Sequence, residues 1–108
     1  MSVATVSQNA VVDAANSSTT LLGAAGTFTG RAEDVSIYAA VNVFAFTDQA
    51  GTLFVEFSVD GLNWDKSNSY AVSASTANAQ SLAPPAQFVR VRYVNGATPQ
   101  TSFRLQTF

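Results

Sequence analysis

The segment from Gln87 to Val94 alternates between two kinds of side chain with a period of two residues. Val89, Val91 and Tyr93 fall on one face of an extended strand, and two arginines lie between them on the other face. A helix would spread these apolar residues around its axis, because successive residues turn by about 100°. The pattern therefore predicts a β-strand with one face buried in a core.

Three other stretches have the same strand character. They run from Asp34 to Phe46, from Thr52 to Val59 and from Thr101 to Phe108. Period-two alternation places one set of apolar residues in each stretch toward a core. The residues predicted to point inward are Val35, Ile37, Ala39, Val41 and Val43 in the first, Leu53, Val55, Phe57 and Val59 in the second, and Phe103 and Leu105 in the third.

Turn signals separate these strands, and helical periodicity is weak throughout. Asp48–Gly51 predicts a hairpin turn, and Asp60–Gly61 and Asn95–Gly96 are dipeptides typical of turns. Pro84–Pro85 ends a strand, because proline has no N–H for the ladder. The sequence therefore predicts an all-β fold, an antiparallel two-sheet sandwich that is either jelly-roll or immunoglobulin-like. Shorter β-prone runs are predicted at 19–22, 27–29, 69–74 and 81–83.

The length of 108 residues fits one domain. Residues 1–18 are small and polar with a weak apolar pattern, and they predict an extended N-terminal arm. Residues 19–108 are predicted to form the sandwich.

The sequence contains no histidine and no cysteine. Disulfides, Cys/His zinc sites and His-based acid–base chemistry within this chain are therefore excluded. Seven acidic residues outnumber five basic ones, so no basic patch suited to phosphate backbones is expected. No run of about 18 apolar residues is present to span a membrane, and Met1–Asn9 lacks the features of a secretory signal. We expect no enzymatic activity, no cofactor, no metal, and no nucleic-acid or membrane partner.

Aspartates lie in several of the predicted turns. Ser58–Trp64 resembles the Asp-box of sialidase-type propellers, but Gly61 directly follows Asp60, so the spacing differs by one residue. A single copy cannot build a propeller. The structural alternative is that Asp60 caps the turn, Gly61 supplies a positive φ and the tryptophan covers the edge of the core. A calcium site that also used Asp48 and Asp65 is disfavoured, because calcium needs about six to eight oxygen ligands.

Charged and aromatic side chains occupy outward positions of the predicted strands. The arginines of the last two strands would form a cross-strand ladder with Glu56 if these strands are neighbours, or alternatively a docking face for an acidic partner. The outward phenylalanines are either partly covered or exposed at a subunit contact. The predicted partner-binding residues are Val3, Val6, Val11 and Val12 in the arm and Phe44, Phe54, Phe88, Arg90, Arg92 and Arg104 on the strands.

Five segments in the second half of the chain combine strand and turn residues in a fixed order, and they are Gly51–Glu56, Asp60–Gly61, Asn63–Asp65, Phe88–Gly96 and Gln100–Leu105. Together they resemble the β-sandwich domains of tailed-bacteriophage virion proteins, which include small capsid decoration (cement) proteins and domains of tail fibres. The resemblance covers a little over half of the chain and leaves the predicted arm outside it.

This resemblance implies a virion structural role, homo-oligomers of two or three copies, and no cofactor. The short chain favours a capsid decoration protein. Such a protein is synthesised in the host cytoplasm, binds the major capsid protein on the outer capsid surface and stabilises the shell. The alternative is a tail-fibre or surface module that recognises host carbohydrate. The candidate sugar-stacking residues of that alternative are Tyr38, Trp64, Tyr70 and Tyr93.

Overall fold

The computed structural model describes residues 12–108, which form two antiparallel β-sheets around one shared core. The strands are β1 (Thr27–Thr29), β2 (Glu33–Asp34), β3 (Val41–Thr47), β4 (Gly51–Ser58), β5 (Lys66–Val72), β6 (Asn78–Leu82), β7 (Phe88–Asn95) and β8 (Phe103–Thr107). The larger sheet has the order β1-β7-β4-β5, with β2 also pairing with β7, and the smaller sheet has the order β6-β3-β8. The predicted all-β sandwich is therefore confirmed. No helix among these residues is long and apolar enough to cross a membrane.

Strand β7 lies inside the larger sheet, and its inner face is apolar, as the alternation predicts. Val89, Val91 and Tyr93 are each 0% exposed. They face the inner side of the smaller sheet, where the Tyr93 ring lies 5.2 Å from the ring of Phe103. The core combines these residues with the inner residues of β3, β4 and β8, and burial of this apolar surface is the main force that holds the two sheets together.

The predicted single strand from Asp34 to Phe46 is wrong. β2 ends at Asp34 in the larger sheet, and β3 begins at Val41 in the smaller sheet. The intervening residues cross from one sheet to the other. Ile37 and Ala39, predicted to point inward, are consequently exposed, Ile37 by 84%. Apolar residues continue through this crossing, so period-two alternation gave no sign of the break.

The predicted turn at 48–51 exists, but it is not a hairpin turn, because β3 and β4 belong to different sheets. The carboxylate of Asp48 accepts hydrogen bonds from the backbone N–H groups of Thr101 and Ser102, both at 2.9 Å. These bonds, together with one from the Thr101 hydroxyl, hold the pKa of Asp48 below its ordinary value. Asp48 thus ties the β3–β4 turn to the loop that precedes β8.

The turn predicted at Asp60–Gly61 joins β4 and β5, which are neighbours in one sheet. Asp60 accepts bonds from the N–H groups of Leu62 and Asn63 at 2.9 and 2.8 Å, and Gly61 has φ +78°. The predicted roles of Asp60 as the cap of this turn and of Gly61 at positive φ are therefore confirmed. Val59 was predicted to point inward but is 72% exposed, because β4 ends at Ser58.

Residues 13–18 were predicted to belong to the extended arm, but they pack against the sandwich. Ala14–Asn16 form a 3-10 turn, and Ser18 forms an antiparallel bridge with Leu105. The boundary between arm and sandwich therefore lies no later than Asp13, and the strand predicted at 19–22 is absent. The part of the predicted arm at residues 1–11 lies outside the described residues.

Asn16 joins three parts of the fold through its side chain and backbone, and it is 0% exposed. Its Oδ1 accepts a hydrogen bond from the Val91 N–H at 2.8 Å, at a point on β7 between the segments paired with β1 and β2. Its Nδ2 donates to Asp13 at 2.8 Å and to the Arg31 carbonyl at 2.9 Å. The Thr107 hydroxyl donates to its carbonyl at 2.8 Å. Asn16 therefore connects β7 of the larger sheet with β8 of the smaller sheet.

Candidate interaction surfaces

The outer face of the larger sheet carries an ion cluster formed by Glu56, Arg90 and Arg92. Arg90 Nη2 and Nε donate to Oε1 of Glu56 at 2.6 and 3.0 Å, and Arg92 Nη2 donates to Oε2 at 3.2 Å. Glu56 is only 5% exposed, although it lies on the outer face. The predicted cross-strand pairing of Glu56 with these two arginines is confirmed, since β4 and β7 are adjacent.

Aromatic rings complete this cluster. The guanidinium of Arg90 lies 4.5 Å from the centre of the Trp64 ring, and that of Arg92 lies 4.1 Å from the centre of the Phe54 ring. Trp64 thus contacts the outer face and not, as predicted, the edge of the core. Burial alone would raise the pKa of Glu56, but the hydrogen bonds from the two arginines outweigh burial and hold this pKa below its ordinary value. The two arginines are therefore engaged within the domain, which disfavours a docking face for an acidic partner.

The phenylalanines predicted to bind a partner lie on both outer faces. On the larger sheet, Phe54 and Phe88 are partly buried. Gly61 of the β4–β5 loop lies next to Phe88, since a Cβ at Gly61 would lie 3.7 Å from the Phe88 ring. On the smaller sheet, Phe44 is 37% exposed and lines a shallow groove of about 330 Å³ together with Phe108, which is 40% exposed. We refer to Phe44, Phe108 and this groove as the Phe44 face.

Arg104 lies on the smaller sheet, so its predicted ladder with the other two arginines is wrong. β7 and β8 follow one another in sequence but belong to opposite sheets. The guanidinium of Arg104 lies 4.6 Å from the centre of the Phe46 ring, next to the Phe44 face. A single cation therefore borders an apolar surface there.

A groove of about 580 Å³ lies between the N-terminal segment, β2, the crossing to β3 and the end of β8. Val12, which is 44% exposed, Tyr38 and Phe108 contribute apolar walls. Three carboxylates line the groove, and none of its lining residues is basic. The carboxylates belong to Asp13, Glu33 and Asp34. No group of three or more potential ligands within residues 12–108 has the arrangement of a metal site.

Replacing Glu33 with glutamine should raise the melting temperature at pH 7 but not at pH 4. Burial and the neighbouring Asp13 carboxylate raise the pKa of Glu33 above its ordinary value of 4.5. The folded state therefore binds the proton more tightly than the unfolded state, and stability falls as the pH rises from 4.5 through the folded pKa. Thermal denaturation across this range measures the effect, with Asp65→Asn, an exposed site outside the groove, as the control. An equal gain in both variants would contradict the proposed origin.

The amino-acid sequence of the chain matches the model of a protein family. A family model described as "Uncharacterised protein YqxG N-terminal domain" matches residues 3–108. The chain belongs to the YqxG N-terminal domain family. A search of curated proteins found no significant match.

Among solved structures, this YqxG N-terminal domain is similar to that described as "Crystal structure of PBSX exported protein XepA", with a TM-score of 0.79 and 26% sequence identity. The similarity covers 90% of this chain and 36% of the XepA chain. The domain thus corresponds to little more than a third of XepA. The similarity is therefore to a phage-related protein, which agrees with the coarser part of what the resemblance implied.

Neither the role of Asn16 nor the groove lined by Asp13, Glu33 and Asp34 was predicted from the sequence. Asn16 lies in a run of small residues that gives no local signal, and its partner Val91 is 75 residues away. The groove is built from four separate parts of the chain, so no single segment reveals it. The predicted partner-binding residues Val3, Val6 and Val11 lie outside the described residues.

Proposed function

We propose that this domain is a non-enzymatic structural component of a phage particle, a decoration protein that binds the outer capsid surface as a homo-oligomer and stabilises the shell. Its membership of the YqxG N-terminal domain family and its similarity to a phage-related protein support an association with phage.

The Phe44 face is the observation that carries this proposal. Phe44 and Phe108 are both partly exposed and line the same groove, where they offer apolar surface to a side chain of a partner. Aromatic residues in such positions commonly contribute the largest part of the binding energy at protein interfaces. Arg104, at the border of the Phe44 face, supplies a positive charge that can orient an incoming partner.

The charged side chains of the domain support a structural role. Glu56 is held by two arginines. The carboxylate of Asp48 accepts from backbone N–H groups of the loop before β8, and that of Asp60 accepts from N–H groups of its own turn. These hydrogen bonds and ion pairs stabilise strands and turns. This use of charge fits a protein that works through contact surfaces.

A second candidate is an exported protein that acts outside the particle, since the structural neighbour XepA is described as exported. The carbohydrate-binding alternative is weaker. Tyr93, one of its four aromatic residues, is 0% exposed and cannot stack on a ligand, and the Trp64 ring is paired with Arg90.

The location of the domain in purified particles separates these candidates. We expect quantitative mass spectrometry to find it in the head fraction after heads and tails are separated, in numbers that follow the major capsid protein. Light scattering of the purified domain should give the mass of a dimer or trimer. Recovery from the medium alone, free of particles, would contradict decoration and favour the exported alternative.

Replacing Phe44 with serine should weaken binding to capsids that lack the protein by about 10-fold, or about 1.4 kcal/mol. The serine variant loses the apolar contact that the Phe44 ring makes with the capsid. The core stays intact, because Phe44 lies on the outer face of its sheet. Ile37→Ser is the matched control, because Ile37 is 84% exposed and lies outside the Phe44 face. Occupancy is measured by titrating each variant onto capsids. Equal occupancy of both variants would remove the Phe44 face from the proposal.

A further inference from the structure

Three polar side-chain atoms buried between the sheets have no hydrogen-bond partner within residues 12–108. They are the hydroxyl of Tyr93, Oδ1 of Asn95 and Nε2 of Gln100. The three residues are 0%, 3% and 4% exposed, so bulk solvent does not reach them. Buried polar atoms in native proteins are nearly always hydrogen-bonded, and each exception requires an explanation.

The three atoms belong to one region of the fold. Tyr93 and Asn95 are two residues apart on the inner face of β7. The Tyr93 hydroxyl reaches Gly51, where a Cβ would overlap it, and Gly51 is the β4 register partner of Asn95. Asn95 and Gln100 are linked through Leu22, whose carbonyl accepts from Asn95 Nδ2 at 3.3 Å and whose N–H donates to Gln100 Oε1 at 2.9 Å.

The orientation of both amides is fixed by their other bonds. Nδ2 of Asn95 donates to the carbonyls of Gly23 at 2.8 Å and Thr98 at 2.9 Å as well as to Leu22, so Oδ1 is the atom left free. Oε1 of Gln100 accepts from Leu22, so Nε2 is the atom left free. Burial raises the pKa of Tyr93 to about 12, so its hydroxyl keeps its proton at neutral pH and can donate.

The region therefore presents two donors and one acceptor. An anion would be repelled by Oδ1 of Asn95. A cation would be repelled by the two donors, the Nε2 group of Gln100 and the hydroxyl of Tyr93. A water molecule fits this set, because it accepts two hydrogen bonds and donates to the third atom. We propose that Tyr93, Asn95 and Gln100 form a binding site for a single buried water molecule. Such waters occur about once per 27 residues in globular proteins and typically make about three hydrogen bonds.

This water connects β7 with the loop before β8, next to a third part of the chain whose Leu22 bonds directly to both amides. Asn95 ends β7, Leu22 lies in the segment before β1, and Gln100 lies in the loop before β8. The water adds hydrogen bonds between Gln100 and the end of β7, which belong to different parts of the fold. Its role is therefore to fix the loop before β8 against the larger sheet.

A crystal structure at a resolution that defines ordered solvent, combined with the variant Tyr93→Phe, tests the proposal. We expect a solvent peak within hydrogen-bonding distance of all three atoms in the native protein. Tyr93→Phe should lower the melting temperature, because the water loses one of its partners. If the hydroxyl is instead unpaired, removing it relieves a buried polar group, and the melting temperature should rise. Either a rise or the absence of the peak would overturn the proposal.

Tyr70→Phe is the matched control, because it removes the same atom from a tyrosine that is only partly buried. Its melting temperature should change less than that of Tyr93→Phe. An equal fall in both variants would show that the loss at Tyr93 is not due to the proposed site, and so would count against it.

Discussion

Replacing Asn16 with alanine should lower the free energy of unfolding by about 3 kcal/mol. The substitution removes the acceptor of the buried Val91 N–H and the donor to the Arg31 carbonyl. Water cannot replace these partners, because Asn16 is 0% exposed. A buried donor left without a partner costs more than the hydrogen bond contributes while it is made. The loss also leaves a cavity between the two sheets.

Urea unfolding followed by fluorescence measures this change. Gln106→Ala on β8 is the control, because Gln106 is exposed and makes no side-chain bond to this region. Asn16→Asp provides a second arm. It keeps the acceptor for Val91 but loses the donors and brings a second carboxylate beside Asp13. We expect its deficit at neutral pH to shrink in acid. A value for Asn16→Ala within about 0.5 kcal/mol of the control would contradict the role assigned to Asn16.

Replacing Glu56 with glutamine should cost about 2 kcal/mol of unfolding free energy at pH 7. The neutral amide removes the counterion of Arg90 and Arg92 and places an NH₂ donor against their donors. Breaking a fully buried pair costs more, but the arginine side chains are 25% and 29% exposed, so water reduces the loss. Arg90 and Arg92 also lose the anion that holds them against Trp64 and Phe54.

The pH dependence separates this ion cluster from simple packing. The folded pKa of Glu56 is lowered, so its contribution is present above the unfolded value of 4.5 and is lost as the pH falls through the folded pKa. The difference between the native protein and Glu56→Gln should therefore shrink in acid. Asp65→Asn removes one negative charge at an exposed site and should have little effect. A difference for Glu56→Gln that is constant with pH would show that charge is not its cause.

Local sequence patterns were sufficient to predict the strands whose inner face is apolar and whose outer face is polar. The alternation in β7 predicted its three core residues, and the Asp60–Gly61 dipeptide predicted the one turn that joins adjacent strands. The same logic joined β2 to β3, because the crossing between them is as apolar as a strand. Pattern reasoning reports on which side chains suit burial, but it contains no information on which sheet a strand enters.

In the candidate sites, too, local patterns predicted some features, and others depended on how the strands assemble into sheets. Pairing between Glu56 and the two arginines of β7 followed from residue type and phase, while Arg104 was misplaced because sheet membership was unknown. Asn16 could not be predicted, since it depends on Gly30, where a Cβ would overlap its amide, and on Val91 far along the chain. The Phe44 face became visible only when the fold showed which outward aromatic rings are covered.

The strand order also determines the sequence of events during synthesis. β1 and β2 pair only with β7 within the described sheets. Thr29 of β1 cannot pair until its β7 partner Arg92 has been synthesised. That partner emerges about 60 residues later, which at a ribosomal rate of about 5–20 residues per second takes several seconds. Among the strands of residues 12–108, only β4 and β5 form a hairpin that can close from neighbouring sequence. The nascent chain therefore carries β1 and β2 unpaired until β7 is made, and Asn16 can connect the two sheets only after both β7 and β8 have emerged.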